Sequence, residues 1–192
     1  MFTEKATSAD TAAASFVAGA GMTQAALAGG IFHVQCLDKD GNVKWEDEVH
    51  NLVVNQGLQD MNTQYFKGAA YTAAFYFGLV TGPGSATTYA AADTLASHGG
   101  WTEFTNYSGS RKAAVFGTAT TANPSVISNS ASPASFSISS SGGTVAGAFL
   151  CTVASGTSGV LFSEADFQSP GDRVVVAGDT LNVTYTFSLT AS

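Results

Sequence analysis

The chain has 192 residues, of which 7 are basic and 14 acidic, so its formal net charge is −7 and its pI is near 4.6. Only 11% of the residues are charged, compared with roughly 25% in an average soluble domain. The excess of acidic residues argues against a protein that binds nucleic acid by charge, and the 11% of aromatic residues argues against a disordered chain. A surface of small uncharged residues repels a neighbouring copy only weakly, so the composition favours a protein that assembles.

The N-terminal part of the chain is unusual because residues 11–37 carry no charge and Thr11–Gly30 is rich in Ala and Gly. Near its end, Ala26-Leu27-Ala28 resembles a signal-peptidase site. The acidic start of the chain and the scarcity of large apolar residues are not typical of a signal peptide, and scattered Gly, Thr and Gln disfavour a membrane span.

We therefore predict an extended N-terminal arm over residues 1–30, followed by one β-sandwich domain over residues 31–192. We expect the arm to bind a protein partner through its few large apolar side chains. These are Phe16, Val17, Met22 and Leu27. We expect neither a membrane nor a nucleic acid as a partner.

From residue 31 onward the apolar residues alternate, as in half-buried strands. Ile31–Leu37 is a predicted strand, residues 38–42 form a turn with Asp-Gly, and Val43–Val54 returns as the second strand of a hairpin. The alternation changes phase within this return strand, which predicts a bulge or bend between Val49 and Leu52.

The middle of the chain mixes several patterns. Helical spacing predicts one or two turns over Asn55–Phe66, and Ala73–Val80 is apolar on both faces, as in a strand covered on both sides. Asp93–His98, followed by two glycines, predicts a short helix. Beyond it, three aromatic residues at intervals of three predict a surface aromatic patch, consisting of Trp101, Phe104 and Tyr107.

The second half reads as short strands separated by turns, and the clearest is the last, where Leu181–Leu189 alternates strictly with hydroxyl and amide residues. The earlier predicted strands are Arg111–Thr118, Ser125–Ser128, Ala134–Ser140, Thr144–Val153, Val160–Phe162 and Arg173–Val176. No helix of ordinary length separates them, which excludes a parallel βαβ sheet. The predicted fold is all-β, an antiparallel jelly-roll-like β-sandwich with one or two short helices.

No catalytic constellation emerges from the spacing of reactive residues. His33, His50 and His98 are scattered, and no nucleophile elbow or phosphate-binding loop is present. Glu46 and Glu48 lie on the same face of a predicted strand, where they could act as a carboxylate pair. We predict instead that this face is simply exposed to solvent. A second acidic pair follows at residues 164 and 166. We predict that the protein is not an enzyme and has no cofactor.

Two features leave a structural and a chemical interpretation open. Asp38 and Asp40 stand at alternate positions, as calcium ligands do, but the spacing departs from an EF-hand and an Asp-Gly hairpin turn explains it without a metal. Cys36 and Cys151 lack metal-like spacing and are predicted to be small buried hydrophobic residues rather than a disulfide.

Several β-rich segments resemble small virion structural proteins of tailed bacteriophages. The similar segments share a composition rich in Ser, Thr, Gly and aromatic residues and are scattered over residues 50–187. They are Asn51–Leu58, Ala92–His98, Trp101–Tyr107, Ser128–Ala134, Gly147–Leu150 and Gly178–Phe187.

The resemblance implies a structural protein of the capsid or the tail. Together with the uncharged arm and the low content of charged residues, it leads us to predict a capsid decoration (cement) protein that binds the outside of the head and bridges neighbouring major capsid protein subunits. We also expect a homo-oligomer, either a dimer or a trimer. Synthesis in the reducing cytoplasm of the host would suit two unpaired cysteines. A tail component or receptor-binding adhesin, and a secreted calcium-binding β module, remain alternatives.

Overall fold

The computed structural model describes residues 26–67, 74–81, 87–167 and 171–191. These residues form thirteen strands and one helix. In chain order the elements are β1 (Ala26–Leu37), β2 (Val43–His50), β3 (Leu52–Val53), α1 (Asn55–Lys67), β4 (Tyr76–Thr81), β5 (Thr102–Phe104), β6 (Lys112–Ala113), β7 (Ser125–Ser128), β8 (Ala134–Ser137), β9 (Gly143–Val145), β10 (Gly147–Cys151), β11 (Leu161–Asp166), β12 (Arg173–Val175) and β13 (Thr180–Ala191).

Two antiparallel sheets pack face to face, which confirms the predicted all-β sandwich. Sheet A has the order β2-β1-β13-β7, with β8 also paired to β13, and sheet B has the order β3-β11-β10-β4-β5, with β6 also paired to β4. A separate two-stranded ribbon joins β9 and β12. The longest pairing is that of β1 with β13, which runs from Ala26 opposite Ala191 to Leu37 opposite Thr180.

The predicted phase change after Val49 is confirmed, and it moves the chain from one sheet to the other. β2 pairs with β1 in sheet A, whereas β3, which starts two residues after β2 ends, pairs with β11 in sheet B. Asn51 fixes this corner. Its backbone N–H donates to Gly30 O at 3.0 Å, its Oδ1 accepts from Gly30 N–H at 2.6 Å, and its Nδ2 donates to Tyr185 Oη at 2.8 Å.

The main core lies between the two sheets. Sheet A contributes alternate side chains of β1 and β13, and sheet B contributes alternate side chains of β4 and β10. Aromatic rings dominate the contact: Phe32 lies 4.6 Å from Tyr185 and 6.1 Å from Phe77 between ring centroids. These distances are those of favourable tilted and edge-to-face pairs.

Sheet B is also covered on its outer face, so β4 is buried on both sides as predicted. The covering segment is the loop over residues 87–101, which places Leu95 and Trp101 against Phe149 and Val80. This second core is separate from the first, and it requires apolar residues at consecutive positions of β4, β10 and β11.

Several predicted elements differ in the structure. The predicted strand Thr144–Val153 divides into β9, in the two-stranded ribbon, and β10, in sheet B, and α1 has 13 residues instead of one or two turns. β1 starts at Ala26 rather than after Gly30, because Ala26–Gly30 find pairing partners at the end of β13; these residues are sheet, not arm. Residues 93–98 form turns with a Thr94–Ser97 bridge instead of a helix, because Asp93 and Thr94 side chains bind nearby backbone N–H groups. Only Lys112–Ala113 of the predicted strand Arg111–Thr118 pairs as a strand.

Candidate functional site

Helix α1 closes one end of the sandwich only in part. Its N-terminal half packs tightly on β11, where Gln56 Oε1 accepts from Leu161 N–H at 3.0 Å. Gly57 is buried at this contact, since a Cβ there would lie 2.3 Å from Phe162 O. The C-terminal half carries Tyr65 and Phe66, which are 83% and 77% exposed, with ring centroids 5.0 Å apart.

An apolar cavity of about 190 Å³ opens between the sheets beside this helix. All its lining side chains are hydrophobic or aromatic. They are Met61, Phe75, Phe116, Ile127, Leu150, Phe162, Tyr185 and Phe187. The core is therefore not filled at this end of the molecule.

A wider groove of about 730 Å³ adjoins the cavity and shares Met61 with it. The groove runs between the end of sheet A and the C-terminal half of α1, and none of the described residues that line it is charged. Its lining consists of Ala26, Met61, Asn62, Gln64, Tyr65, Phe66 and Leu189. We call this surface the α1 groove.

Along β13 the apolar side chains pass from the core to the α1 groove. Tyr185 is buried, Phe187 is partly buried, and Leu189 is 41% exposed. A continuous apolar path that reaches solvent is uncommon on a monomeric soluble protein and is typical of a protein contact surface. The α1 groove is therefore the leading candidate for a functional site in the described part of the chain.

The predicted arm residues fall mostly outside the described residues, as Phe16, Val17 and Met22 precede Ala26. Leu27 is 46% exposed, and it lies in β1 opposite Thr190. Its position alternates with that of core-facing Phe32, so it belongs to the outer face of sheet A, not to the α1 groove.

The free edge of β2 is a poor place for a partner strand to add. Glu46 and Glu48 are exposed there, which confirms the predicted solvated face, and Lys44 adds another charge. Charged side chains along an edge strand disfavour pairing with another chain. A partner is therefore expected at the α1 groove and not at this edge.

The predicted surface aromatic patch is wrong. Trp101, Phe104 and Tyr107 are 3%, 3% and 7% exposed. Trp101 belongs to the second core, with its ring centroid 5.2 Å from that of Phe149, whereas Phe104 and Tyr107 belong to the main core. Spacing by three residues did not reveal that the segment crosses from one core to the other.

Sequence patterns gave no sign that Glu164 is fully buried in the middle of β11. Trp101 Nε1 donates to its Oε2 at 2.9 Å. Burial, with the nearby charge of Asp93, raises the pKa of Glu164 to about 8, although the Trp101 hydrogen bond lowers it. The side chain is therefore largely protonated at neutral pH, as a carboxylic acid next to a tryptophan.

A polar cleft of about 380 Å³ lies beside Glu164 and is lined also by His50, Tyr89 and Asp166. Burial and the charges of Asp172 and Asp47 raise the pKa of Asp166 to about 6. Perturbed carboxyl groups in a cleft are a common sign of catalysis. Separately, the described residues contain no group of three or more His, Cys, Asp or Glu side chains that could hold a metal ion.

His98 has a structural role, with its ring stacked on Trp101 at 3.7 Å between centroids.

The Asp38–Asn42 segment forms the predicted hairpin turn. Asp38 Oδ1 accepts hydrogen bonds from the backbone N–H groups of Asp40 and Asn42, at 2.8 and 2.9 Å. These bonds, with that of the Asn42 side chain, lower the pKa of Asp38. The turn thus uses the carboxylate that a calcium ion would need.

Both cysteines are free and fully buried, as predicted. Burial, with the nearby charge of Asp179, raises the pKa of Cys36 to about 11. Burial also raises the pKa of Cys151. Neither thiol has the exposure or the thiolate character of a reactive cysteine.

Comparison with known proteins gives no match, since no family model, no curated protein and no solved structure aligns significantly with the chain. Among the described residues, no helix is long and apolar enough to cross a membrane.

Proposed function

We propose that the chain is a structural virion protein of a tailed bacteriophage, a capsid decoration protein that binds the outer surface of the head and bridges neighbouring major capsid protein subunits. The observation that carries the proposal is the uncharged apolar α1 groove, which lies where residues 1–25 join β1. The resemblance of residues 50–187 to phage virion proteins supplies the setting.

The electrostatics support a location outside the capsid. A chain with a net charge of −7 is repelled by packaged DNA, whereas the outer surface imposes no such penalty. The low content of charged residues reduces repulsion between copies that sit side by side.

Attachment at many points compensates for weak single contacts. Burying one large apolar side chain, such as Phe16 or Met22, contributes about 1.5–3 kcal/mol, and fixing each backbone residue costs about 1–2 kcal/mol. One segment alone therefore gives little net affinity, but copies held on a lattice rebind at high effective concentration.

The first test of the proposal is the number of copies per virus particle, measured by quantitative mass spectrometry against the major capsid protein. A ratio of order one supports a decoration protein. A ratio far lower would favour the tail alternative, and absence from the particle would refute a virion role.

The second test is binding of the purified full chain to particles that lack it. Val17→Asp with Met22→Asp places two charges in the N-terminal segment and should abolish co-sedimentation with the capsid. Thr157→Asp with Ser158→Asp adds the same charges on an exposed loop and should leave binding unchanged. Equal binding by both variants would refute the role of the segment.

A further inference from the structure

We propose that the α1 groove receives residues 16–25 of a second copy of this chain, so that neighbouring copies exchange their N-terminal segments. The inference deepens the proposed function and rests on it for the surface on which the copies meet. It assigns the α1 groove and residues 16–25 to a contact between copies, which would link the copies bound on the head into one array.

The chemistry of the α1 groove selects an uncharged apolar occupant. Tyr65 and Phe66 expose their rings, and the polar lining groups are the amides of Asn62 and Gln64. A charged segment would lose its hydration there without gaining an ionic partner. An apolar segment would cover the rings and extend the main core past Leu189.

Residues 16–25 match this surface in composition. The segment has no charge, and the run Ala18–Gly21 separates the adjacent large side chains Phe16 and Val17 from Met22. Small residues between large ones let a backbone lie close to a surface while the large side chains enter it. The exposed amide of Asn62 can bind the backbone of such a segment, whereas Gln64 Nε2 already donates to Asp60 Oδ1 at 3.1 Å.

The position of Ala26 favours a second copy over the same copy. Ala26 lies at the rim of the α1 groove and pairs with Ala191, the last residue of β13. An extended continuation of β1 therefore passes beyond its partner strand. Met22–Ala25 contains no Gly, Pro, Asn or Asp, the residues that favour an immediate reversal. From Ala26 to Phe16 an extended chain spans up to about 36 Å, enough to reach an adjacent molecule.

Engineered cysteines test the exchange in the full chain. We expect Phe16→Cys combined with Tyr65→Cys to form disulfide-linked dimers or larger species under mild oxidation. The buried Cys36 and Cys151 do not compete for the engineered thiols. The matched control places the second cysteine at Thr63, which is exposed on α1 but does not line the groove.

Linkage between copies that is about tenfold faster than in the Thr63→Cys control supports the proposal. Linkage within one copy, or linkage no faster than in the control, would overturn it.

A second measurement does not depend on a cross-link. Analytical ultracentrifugation of the purified wild-type chain should show an oligomer, and Tyr65→Ser with Phe66→Ser should raise its dissociation constant at least about tenfold. Both side chains are exposed in the single chain, so the variant should keep its fold, as its circular dichroism spectrum can show. A wild-type monomer, or an unaffected oligomer in the variant, would overturn the exchange.

These measurements contain no virus particle, so they are separable from the proposed function. An exchanged oligomer that is absent from particles would refute the decoration role and leave the exchange standing. A monomer present at capsid-like copy number would do the reverse.

Discussion

Replacing Glu164 by Gln should remove a large part of the pH dependence of folding stability. In the folded protein the pKa of Glu164 is raised from 4.5 to about 8. Between these two values the folded chain binds a proton that the unfolded chain releases. The free energy of unfolding therefore falls as pH rises from 4.5 to about 8, and above that range this contribution no longer changes.

The magnitude follows from the size of that window. One proton contributes about 1.4 kcal/mol per pH unit, so the loss across the window is on the order of 5 kcal/mol. Gln keeps an oxygen that can accept the hydrogen bond of Trp101 and cannot ionise. The variant should thus be more stable than the wild type above pH 8, and the difference should shrink toward pH 5.

Urea unfolding followed by tryptophan fluorescence from pH 5 to 9 measures this difference. Glu48→Gln is the matched control, because it makes the same chemical change at an exposed position of β2. Asp166, whose pKa is raised to about 6, contributes its own pH dependence to the stability of both variants. Parallel pH profiles for the wild type and Glu164→Gln would refute the assignment of a buried neutral acid.

Three further substitutions or treatments test the packing. In an exposed helix, a change from Gly to Ala raises the free energy of unfolding by about 1 kcal/mol. Gly57→Ala should instead lower it by about 1–3 kcal/mol, because the added Cβ would meet Phe162 O. A variant that urea unfolding shows to be stabilised would contradict the close contact. Arg111 is buried and forms two hydrogen bonds to Glu103, of 2.8 and 2.7 Å. Arg111→Met should lower the free energy of unfolding by about 3 kcal/mol, and a variant as stable as the wild type would show that the ion pair is dispensable. Cys36 should resist iodoacetamide at pH 8 in the folded protein, as mass spectrometry can show, and rapid labelling would disprove its burial.

Sequence alternation was sufficient for the elements whose two faces differ in environment. β13 and the hairpin of β1 and β2 have one buried and one solvated face, and the break after Val49 marked the move to the second sheet. Helical spacing located α1, although it did not show that Gly57 is needed for close approach to β11.

Alternation of apolar residues could not predict the position of the loop over residues 87–101, because this loop is irregular and yet forms a layer of the fold. Nothing in a local pattern shows that such a loop covers the outer face of sheet B. The burial of Trp101 and Glu164 both follow from that cover. For the same reason the α1 groove could not be predicted, since its walls come from three parts of the chain that are distant in sequence.

The corner at Asn51 has a mechanical consequence for the whole sandwich. The chain leaves sheet A at His50 and enters sheet B at Leu52, so Asn51 alone connects the two layers at this corner. The Asn51 side chain forms hydrogen bonds to Gly30 of β1 and to Tyr185 of β13, which are both strands of sheet A. Because both bonds run to sheet A, they hold the corner on that layer and so fix the point at which the chain enters sheet B.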